Sequence, residues 1–390
     1  MLIIASILLF TSIFLIAYTY VIFPQWMISI SGKSLKISKE NQFLNKKIAV
    51  LIAAYNEEEV IEQKIRTTFL TKYPHSNIEC WIGTDKCSDK TDEIIKSLQA
   101  EFPQIKHIPF AERTGKPQII NQLFEMQKQN FNAELLILTD ADTLFDENTI
   151  INIIAPFHDA KIGGVQSVFE VYTASEKGVS AQEIKYNQRE VKIKQGEGVF
   201  GSVIGASGAC YAIRSDLYMP VPKGFLVDDF FLFLQVLNKG FQTVFANNAI
   251  ARIEISGDSA IEFKRKIRIS VGNFQNLFYF TKFLNPFANK YAFIYWSHKV
   301  LRWLTPFFML IVLITNVLLA SHNYYFEILL YLQLIGYLSL PLDYLLSKVK
   351  IKVDVLRFVS HFILMNIALL FGFFKYLKGN NSGVWNTKNN

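Results

Sequence analysis

The chain has 390 residues, is 51% hydrophobic with 34 phenylalanines, and carries a formal net charge of +7. Its apolar residues gather at the two ends, which excludes a simple soluble domain, while Cys80, Cys87, Cys210 and six scattered histidines offer neither a disulfide frame nor a zinc-ligand spacing. The positive charge lies beside those apolar ends, so it points to anionic headgroups and nucleotide phosphates rather than to nucleic acid.

Residues 1–23 contain no charged side chain and would form roughly 34 Å of helix, enough for a hydrocarbon core of about 30 Å. A retained anchor is expected rather than a signal peptide. The start lacks a positive charge, the apolar run exceeds the usual core of about 7–15 residues, and no small-x-small cleavage site precedes Pro24. Residues 301–320, 324–346 and 353–377 are three further stretches long enough to span. Lys33, Lys36, Lys39, Lys46 and Lys47 follow the first span, His298, Lys299 and Arg302 precede the second, and a basic run at 348–352 separates the third from the fourth. The positive-inside rule makes these segments cytoplasmic, and with them the middle of the chain. One span before and three after would put both termini outside, where Lys375, Lys378 and Lys388 fit that rule poorly.

Between the ends, strand-like and helix-like patterns alternate. Strands are expected at 48–54, 78–82, 105–108 and 135–138, followed by helices to about residue 70, at 90–100, at 117–129 and at 147–156. Asn56 and the three glutamates after it read as the cap and first turn of the first helix. Such βαβ units predict an α/β fold with a mostly parallel sheet.

Chemistry gathers where those strands end. Asp85 and the pair Asp140 and Asp142 each follow a buried run, and the carboxyl edge of a parallel sheet is where ligands bind. Asp140 and Asp142 can offer hard oxygen ligands to Mg2+ or Mn2+, with substrate phosphates completing the shell, although turns also use Asp for local hydrogen bonds. Tyr55, Glu57 and Asp85 combine an aromatic face with carboxylates suited to a nucleoside. Arg113 and Lys116 flank Gly115 just before a helix, a place for a diphosphate. Each has a plainer alternative, Glu57 as a helix cap and the two cations as a solvated face. Gly205-Ala-Ser207-Gly208 supplies small residues before a strand, for close approach to a sugar or for packing. Asp228 and Asp229 open an apolar helix reaching Leu237; one can cap it, leaving the other as a base near an acceptor hydroxyl.

Taken in order, Ala54-Tyr-Asn-Glu57, Asp85 with Ser88 and Asp89, Gly115-Lys-Pro117, Asp140-Ala-Asp142, Gly205-Ala-Ser-Gly208 and Asp228-Asp229 resemble the membrane-integrated family 2 inverting glycosyltransferases, the group of cellulose, hyaluronan and poly-N-acetylglucosamine synthases. The resemblance covers about 48–268 and reaches the flanking spans. It implies a GT-A fold, a nucleotide-sugar donor, usually UDP-linked, a lipid-linked or glycan acceptor, and a divalent metal. It assigns Tyr55, Glu57 and Asp85 to the nucleoside, Lys116 to the diphosphate, Asp142 to the metal with Asp140 beside it, and Asp229 to the catalytic base. Arg113, Ser207 and Gly208 complete the expected donor site. The implied location is the plasma (inner) membrane, with the transferase domain facing the cytoplasm.

Two departures from the family pattern bear on function. Val227-Asp228-Asp229 replaces Thr-Glu-Asp, and Arg265-Lys-Ile-Arg268-Ile269 replaces Gln-x-x-Arg-Trp. Arg265 and Arg268 remain as acceptor or diphosphate contacts, but the tryptophan floor is gone, with Phe274 or Trp296 as candidate substitutes. The expected organisation is an anchor at 1–30, a transferase domain at 46–257, amphipathic interfacial helices at 258–298, about three spanning helices over 299–378 and a polar tail at 379–390. The expected activity is transfer to a membrane-proximal acceptor. A processive polysaccharide synthase is the alternative among enzymes, and a nucleotide-binding transporter or scaffold is the alternative in another class.

Overall fold

A computed structural model describes residues 1–32, 45–172, 179–254, 259–349, 351 and 353–379. Lys33, Lys36, Lys39, Lys350, Lys352 and the tail from residue 380, including Lys388, lie outside the described residues. The chain divides into two compact units, one of Met27–Gly257 with Phe280–Lys282, the other of Met1–Trp26, Asp258–Tyr279 and Phe283–Asn380.

Among the described residues, the first unit has eight strands: β1 Ile48–Ala54, β2 Ile78–Asp85, β3 Ile105–Phe110, β4 Leu135–Thr139, β5 Leu144–Phe145, β6 Ile162–Tyr172, β7 Cys210–Arg214 and β8 Gln242–Glu254. They form one sheet in the order β3-β2-β1-β4-β7-β6-β8-β5. The first four are parallel, with Ile48 of β1 opposite both Ile78 and Leu135. Every residue of β1 is buried, as a continuous apolar run covered on both faces should be. Because β2 lies on one side of β1 and β4 on the other, the strand order reverses there and leaves a crevice at their carboxyl ends.

Helices cover this sheet: α1 Ile61–Phe69, α2 Thr91–Leu98, α3 Lys116–Asn130, α4 Thr149–Ile154, α5 Val179–Phe200 and α6 Asp228–Asn238. The first helix starts later than its sequence suggests. Asn56 sits in the left-handed region at φ 53° and bonds to the 88 loop instead of capping a helix, so α1 begins at Ile61 without a side-chain cap. Helix α4 is likewise shorter than expected, and a 3-10 turn, Ala155–His158, follows it.

The second half of the sheet is mixed. Strand β7 runs antiparallel to β4 and β6, β8 is parallel to β6, and β5 is antiparallel to β8. The reversal at β7 matters for the site, because Cys210 pairs with Thr139 and brings the Gly205–Gly208 segment beside the Asp140 turn.

Among the described residues, four helical segments are long and apolar enough to cross a membrane: Leu2–Ile30, Lys290–Ala320, Tyr324–Lys348 and Asp354–Lys378. The second starts before its expected limit because a π-helical turn, Trp296–Val300, joins successive α-helical pieces, as Tyr18–Ile22 does within the first. Within the second unit, Ala5 and Leu9 of the first segment pack with Val312 and Leu319 of the second.

Helix α7, Ser259–Tyr279, lies along the fourth segment; Ser270 Oγ donates to the Leu369 carbonyl at 2.9 Å, and the absent Cβ of Gly372 gives Ser270 its room. The aromatic substitutes suggested by the sequence are otherwise engaged. Phe274 is 1% exposed among Phe373, Tyr376 and Trp303, and the Trp296 indole donates to the Phe283 carbonyl at 3.0 Å. Arg265 and Arg268 are exposed on α7, with Arg265 3.7 Å from Glu262.

Candidate active site

Asp85 ends β2 and is fully buried. A buried carboxylate needs donors, and it has three: Thr114 N at 2.6 Å, Gly115 N at 3.1 Å and Arg113 Nε at 3.2 Å. The Arg113 guanidinium in turn lies 3.3 Å from the centre of the Tyr55 ring, a cation–π contact. The structure therefore joins Tyr55, Asp85 and Arg113 into one wall, and the carboxylate shapes the loop entering α3. Gly115 is the residue preceding that helix, at φ 88°, a conformation that glycine adopts without steric cost. Glu57 is half-buried next to this wall in sequence, and its amide donates to Thr91 Oγ1 at 2.9 Å.

Lys116, the first residue of α3, donates from Nζ to Asp140 Oδ1. Burial opposes its charge, yet Asp140, Asp228 and Asp229 outweigh burial and hold the ammonium above its ordinary pKa. A Cβ built on Gly208 would stand 3.0 Å from Asp140 Oδ2 and 3.5 Å from Lys116 Nζ, so a side chain here would push the Asp140 carboxylate by a few tenths of an ångström. Gly205 is held at φ 78° against the Phe230 ring. Lys116, Asp140, Gly208 and the Asp228–Asp229 pair thus converge.

Asp228 and Asp229 open α6. Asp229 Oδ1 accepts from the Phe230 amide at 2.7 Å, while Asp228 Oδ2 is buried with no hydrogen-bond partner among the described residues. Burial, and then the neighbouring Asp228 charge, push the Asp229 pKa up to about 6, with Lys116 pulling the other way. A carboxyl in that range suits proton abstraction near neutral pH.

Asp142 is half-buried on the same turn as Asp140. Among the described residues no group of three or more His, Cys, Asp or Glu forms a preformed metal cage. One turn with two carboxylates is nevertheless the donor set that Mg2+ or Mn2+ uses when substrate phosphates and waters supply the remaining oxygens. The residues fit such an ion.

Sequence reading missed the residues that hold this site in shape. Gln166 of β6 is fully buried and its Oε1 accepts from the Ser207 amide at 2.5 Å, while its Nε2 reaches the Cys210 carbonyl at 3.3 Å. Lys194 and Glu197 of α5 are buried against the same segment, bonding Gly205 O at 3.2 Å and Ile204 N at 3.1 Å. Lys64 of α1, also fully buried, bonds Thr139 Oγ1 at 2.8 Å and Thr143 O at 2.6 Å. Strand β6 and helix α5 carry no motif, and Lys64 reads from sequence as a surface cation.

Comparison with known proteins bears on the family and the fold. A family model described as glycosyltransferase-like family 2 matches residues 45–272. The chain is 28% identical over 157 residues to a beta-monoglucosyldiacylglycerol synthase of Trichormus variabilis, covering 40% of this chain and 33% of that protein. It is 29% identical over 162 residues to a poly-beta-1,6-N-acetyl-D-glucosamine synthase of Staphylococcus aureus, covering 41% and 38%. These matches span only about a third of the relatives' length. Among solved structures, a mannosyltransferase from Pyrobaculum calidifontis, in complex with GDP-Man and Mn2+, superimposes with a TM-score of 0.69 over 96% of this chain and 99% of its own, at 16% identity. The fold is that of the GT-A glycosyltransferases, and the chain belongs to glycosyltransferase family 2.

Proposed function

We propose that this glycosyltransferase moves a sugar from a nucleoside-diphosphate donor, UDP-linked by preference, to a lipid-linked or glycan acceptor at a membrane, inverting the anomeric centre. The observation that carries the reading is the convergence of Lys116, Asp140 and Gly208 with Asp229, whose pKa is raised to about 6. Asp229 accepts the proton of the acceptor hydroxyl, the hydroxyl oxygen attacks the anomeric carbon from the face opposite the diphosphate, and the bond from that carbon to the diphosphate breaks. Asp228 keeps Asp229 basic by like-charge repulsion. Lys116 exchanges Asp140 for the leaving diphosphate and offsets its charge. The Tyr55, Asp85 and Arg113 wall, with Glu57, orients the nucleoside, and Ser207 and Gly208 line the sugar's approach. Asp142, with Asp140 beside it, would hold a Mg2+ or Mn2+ ion that neutralises the diphosphate.

Four apolar helical segments and the lysines Lys46 and Lys47 support an integral protein of the plasma (inner) membrane with its transferase unit on the cytoplasmic side. The names of the two relatives, one forming a glucosylated diacylglycerol and the other a polysaccharide, support both acceptor classes. Nucleic acid is not a partner in this reading. The test is release of UDP or GDP from a panel of nucleotide sugars by the protein in lipid vesicles, with and without EDTA, and with Asp142→Asn alongside. Turnover that survives both EDTA and Asp142→Asn would remove the metal; no nucleotide released from any donor, with binding intact, would favour a scaffold.

A further inference from the structure

Lys64 is the one buried cation of α1 that the proposed chemistry does not use. Its ammonium is fully enclosed, and among the described residues it forms no ion pair. It donates to Thr139 Oγ1 at 2.8 Å and to Thr143 O at 2.6 Å, and lies 3.6 Å from the centre of the Phe145 ring. Those two acceptors bracket the turn that carries Asp140 and Asp142. The Thr139 hydroxyl, accepting from Lys64, donates its own proton to the Ala209 carbonyl at 2.7 Å. Ala209 follows Gly208, where an added Cβ would stand 3.0 Å from the Asp140 carboxylate. One buried ammonium therefore ties the turn at both ends and, through Thr139, to the strand forming its opposite wall.

Packing alone does not account for a charge there. A methionine or leucine would fill the same volume without desolvating an ammonium, and removing a charge from water is costly unless an interaction requires it. What this ammonium does that an apolar side chain cannot is grip Thr139 and Thr143 at once. Burial draws its pKa down to about 8, with Asp140 and Asp142 among the groups that oppose the shift.

We infer that Lys64 is a positioning residue for metal binding: from beneath the sheet edge it fixes the Asp140–Asp142 turn so that the two carboxylates meet the ion and the diphosphate together. The inference rests on the metal reading above. Outer residues that orient metal ligands change metal affinity by about 10–100-fold when replaced.

The full chain in detergent is titrated with Mn2+ in the presence of UDP, and in a parallel series GDP, with free Mn2+ read by electron paramagnetic resonance. Lys64→Met and Thr139→Val should each raise the Mn2+ dissociation constant at least about tenfold. Ile65→Ala, at a fully buried neighbour on the same helix, is the control for lost stability and should leave Mn2+ affinity within about twofold. In activity assays the two test variants should raise the Mn2+ concentration for half-maximal rate more than they lower the rate at saturating Mn2+. Wild-type Mn2+ affinity in Lys64→Met, with a melting temperature no lower than the control's, would overturn the inference and leave the metal reading standing. Tighter Mn2+ binding in Lys64→Met would overturn it too, because the ammonium would then act by repulsion. A wild-type chain that binds no Mn2+ with either nucleotide overturns both. If Lys64→Met fails to fold, Thr139→Val, which keeps the shape of the threonine, decides alone.

Discussion

Lys116 and Asp140 are each other's partner across the crevice: the cation suited to a diphosphate donates to the acid that shares a turn with Asp142. A donor diphosphate must compete with that carboxylate, so its binding is an exchange of one anion for another. Lys116→Met should weaken nucleoside-diphosphate binding by about 10–100-fold, from about 1.5–3 kcal/mol for a hydrogen bond to a charged group. Calorimetry with UDP and GDP measures it; wild-type affinity would remove Lys116 from the donor site.

Gly208 and Gly205 lie three residues apart and should fail differently. A Cβ at 208 meets Asp140 Oδ2 at 3.0 Å and Lys116 Nζ at 3.5 Å, groups of the site, whereas a Cβ at 205 meets the Phe230 ring at 2.2 Å, with φ at 78° besides. Gly208→Ala should lower turnover by an order of magnitude or more with little change in melting temperature, a loss typical of displaced reacting groups. Gly205→Ala should destabilise the fold by about 1–3 kcal/mol from overpacking and strain. Thermal unfolding and turnover on the same two preparations separate them, and the opposite pairing of effects would contradict both assignments.

Much of this was legible from the chain. The buried parallel strands β1, β2 and β4 announce themselves as short apolar runs closed by Tyr55, Asp85 and Asp140, because residues covered on both faces have little polar alternation to blur them. Helix α6 was equally clear, since Asp228 begins it and Asn238 ends it close to where the apolar pattern stops. The supports of the site were not. Gln166 lies within the strand Ile162–Tyr172 and Lys64 within an amphipathic helix, and neither periodicity nor spacing reveals that a long polar side chain points inward to bond a distant backbone carbonyl or amide. The register that sets Cys210 against Thr139 is a tertiary fact of the same kind. Asn56 misled because its side chain serves Ser88, 32 residues away, instead of the helix that follows.

Asp229 should trade stability for activity. Its folded pKa of about 6 lies above the ordinary 3.8, so between those values the native state holds more protons than the unfolded one. Stability then falls as pH rises through that window and the deficit persists above it. Asp229→Asn removes the buried charge and should raise the melting temperature at pH 7.5, while cutting the transfer rate by about 10²–10⁴-fold, the usual contribution of a general base. In the wild type, kcat/KM should climb about tenfold per pH unit below about 6 and level off above it. A variant with lower stability at pH 7.5, or a wild-type profile flat from pH 5 to 7, would show that Asp229 is not a strained base.

Product length depends on what lies beneath the acceptor. The family's processive members place a tryptophan where this chain has Ile269, and the nearby aromatics are committed elsewhere: Phe274 is 1% exposed in an aromatic cluster and Trp296 donates to Phe283 O at 3.0 Å. Freeing Phe274 would open a cavity of the kind that costs about 3–5 kcal/mol when a phenylalanine is removed from a core. Ring stacking, worth about 1–3 kcal/mol by analogy with bases on aromatic side chains, would not repay it. The acceptor should therefore leave after one or a few additions. Ile269→Trp offers the converse, a flat surface restored at the family's position, and should lengthen products if the floor is what is missing. Sizing of labelled products under excess donor reads both results. Long polymer from the wild type at the earliest times, without short intermediates, would make this chain a processive synthase and would mean that the acceptor is retained by something other than an aromatic floor at this position.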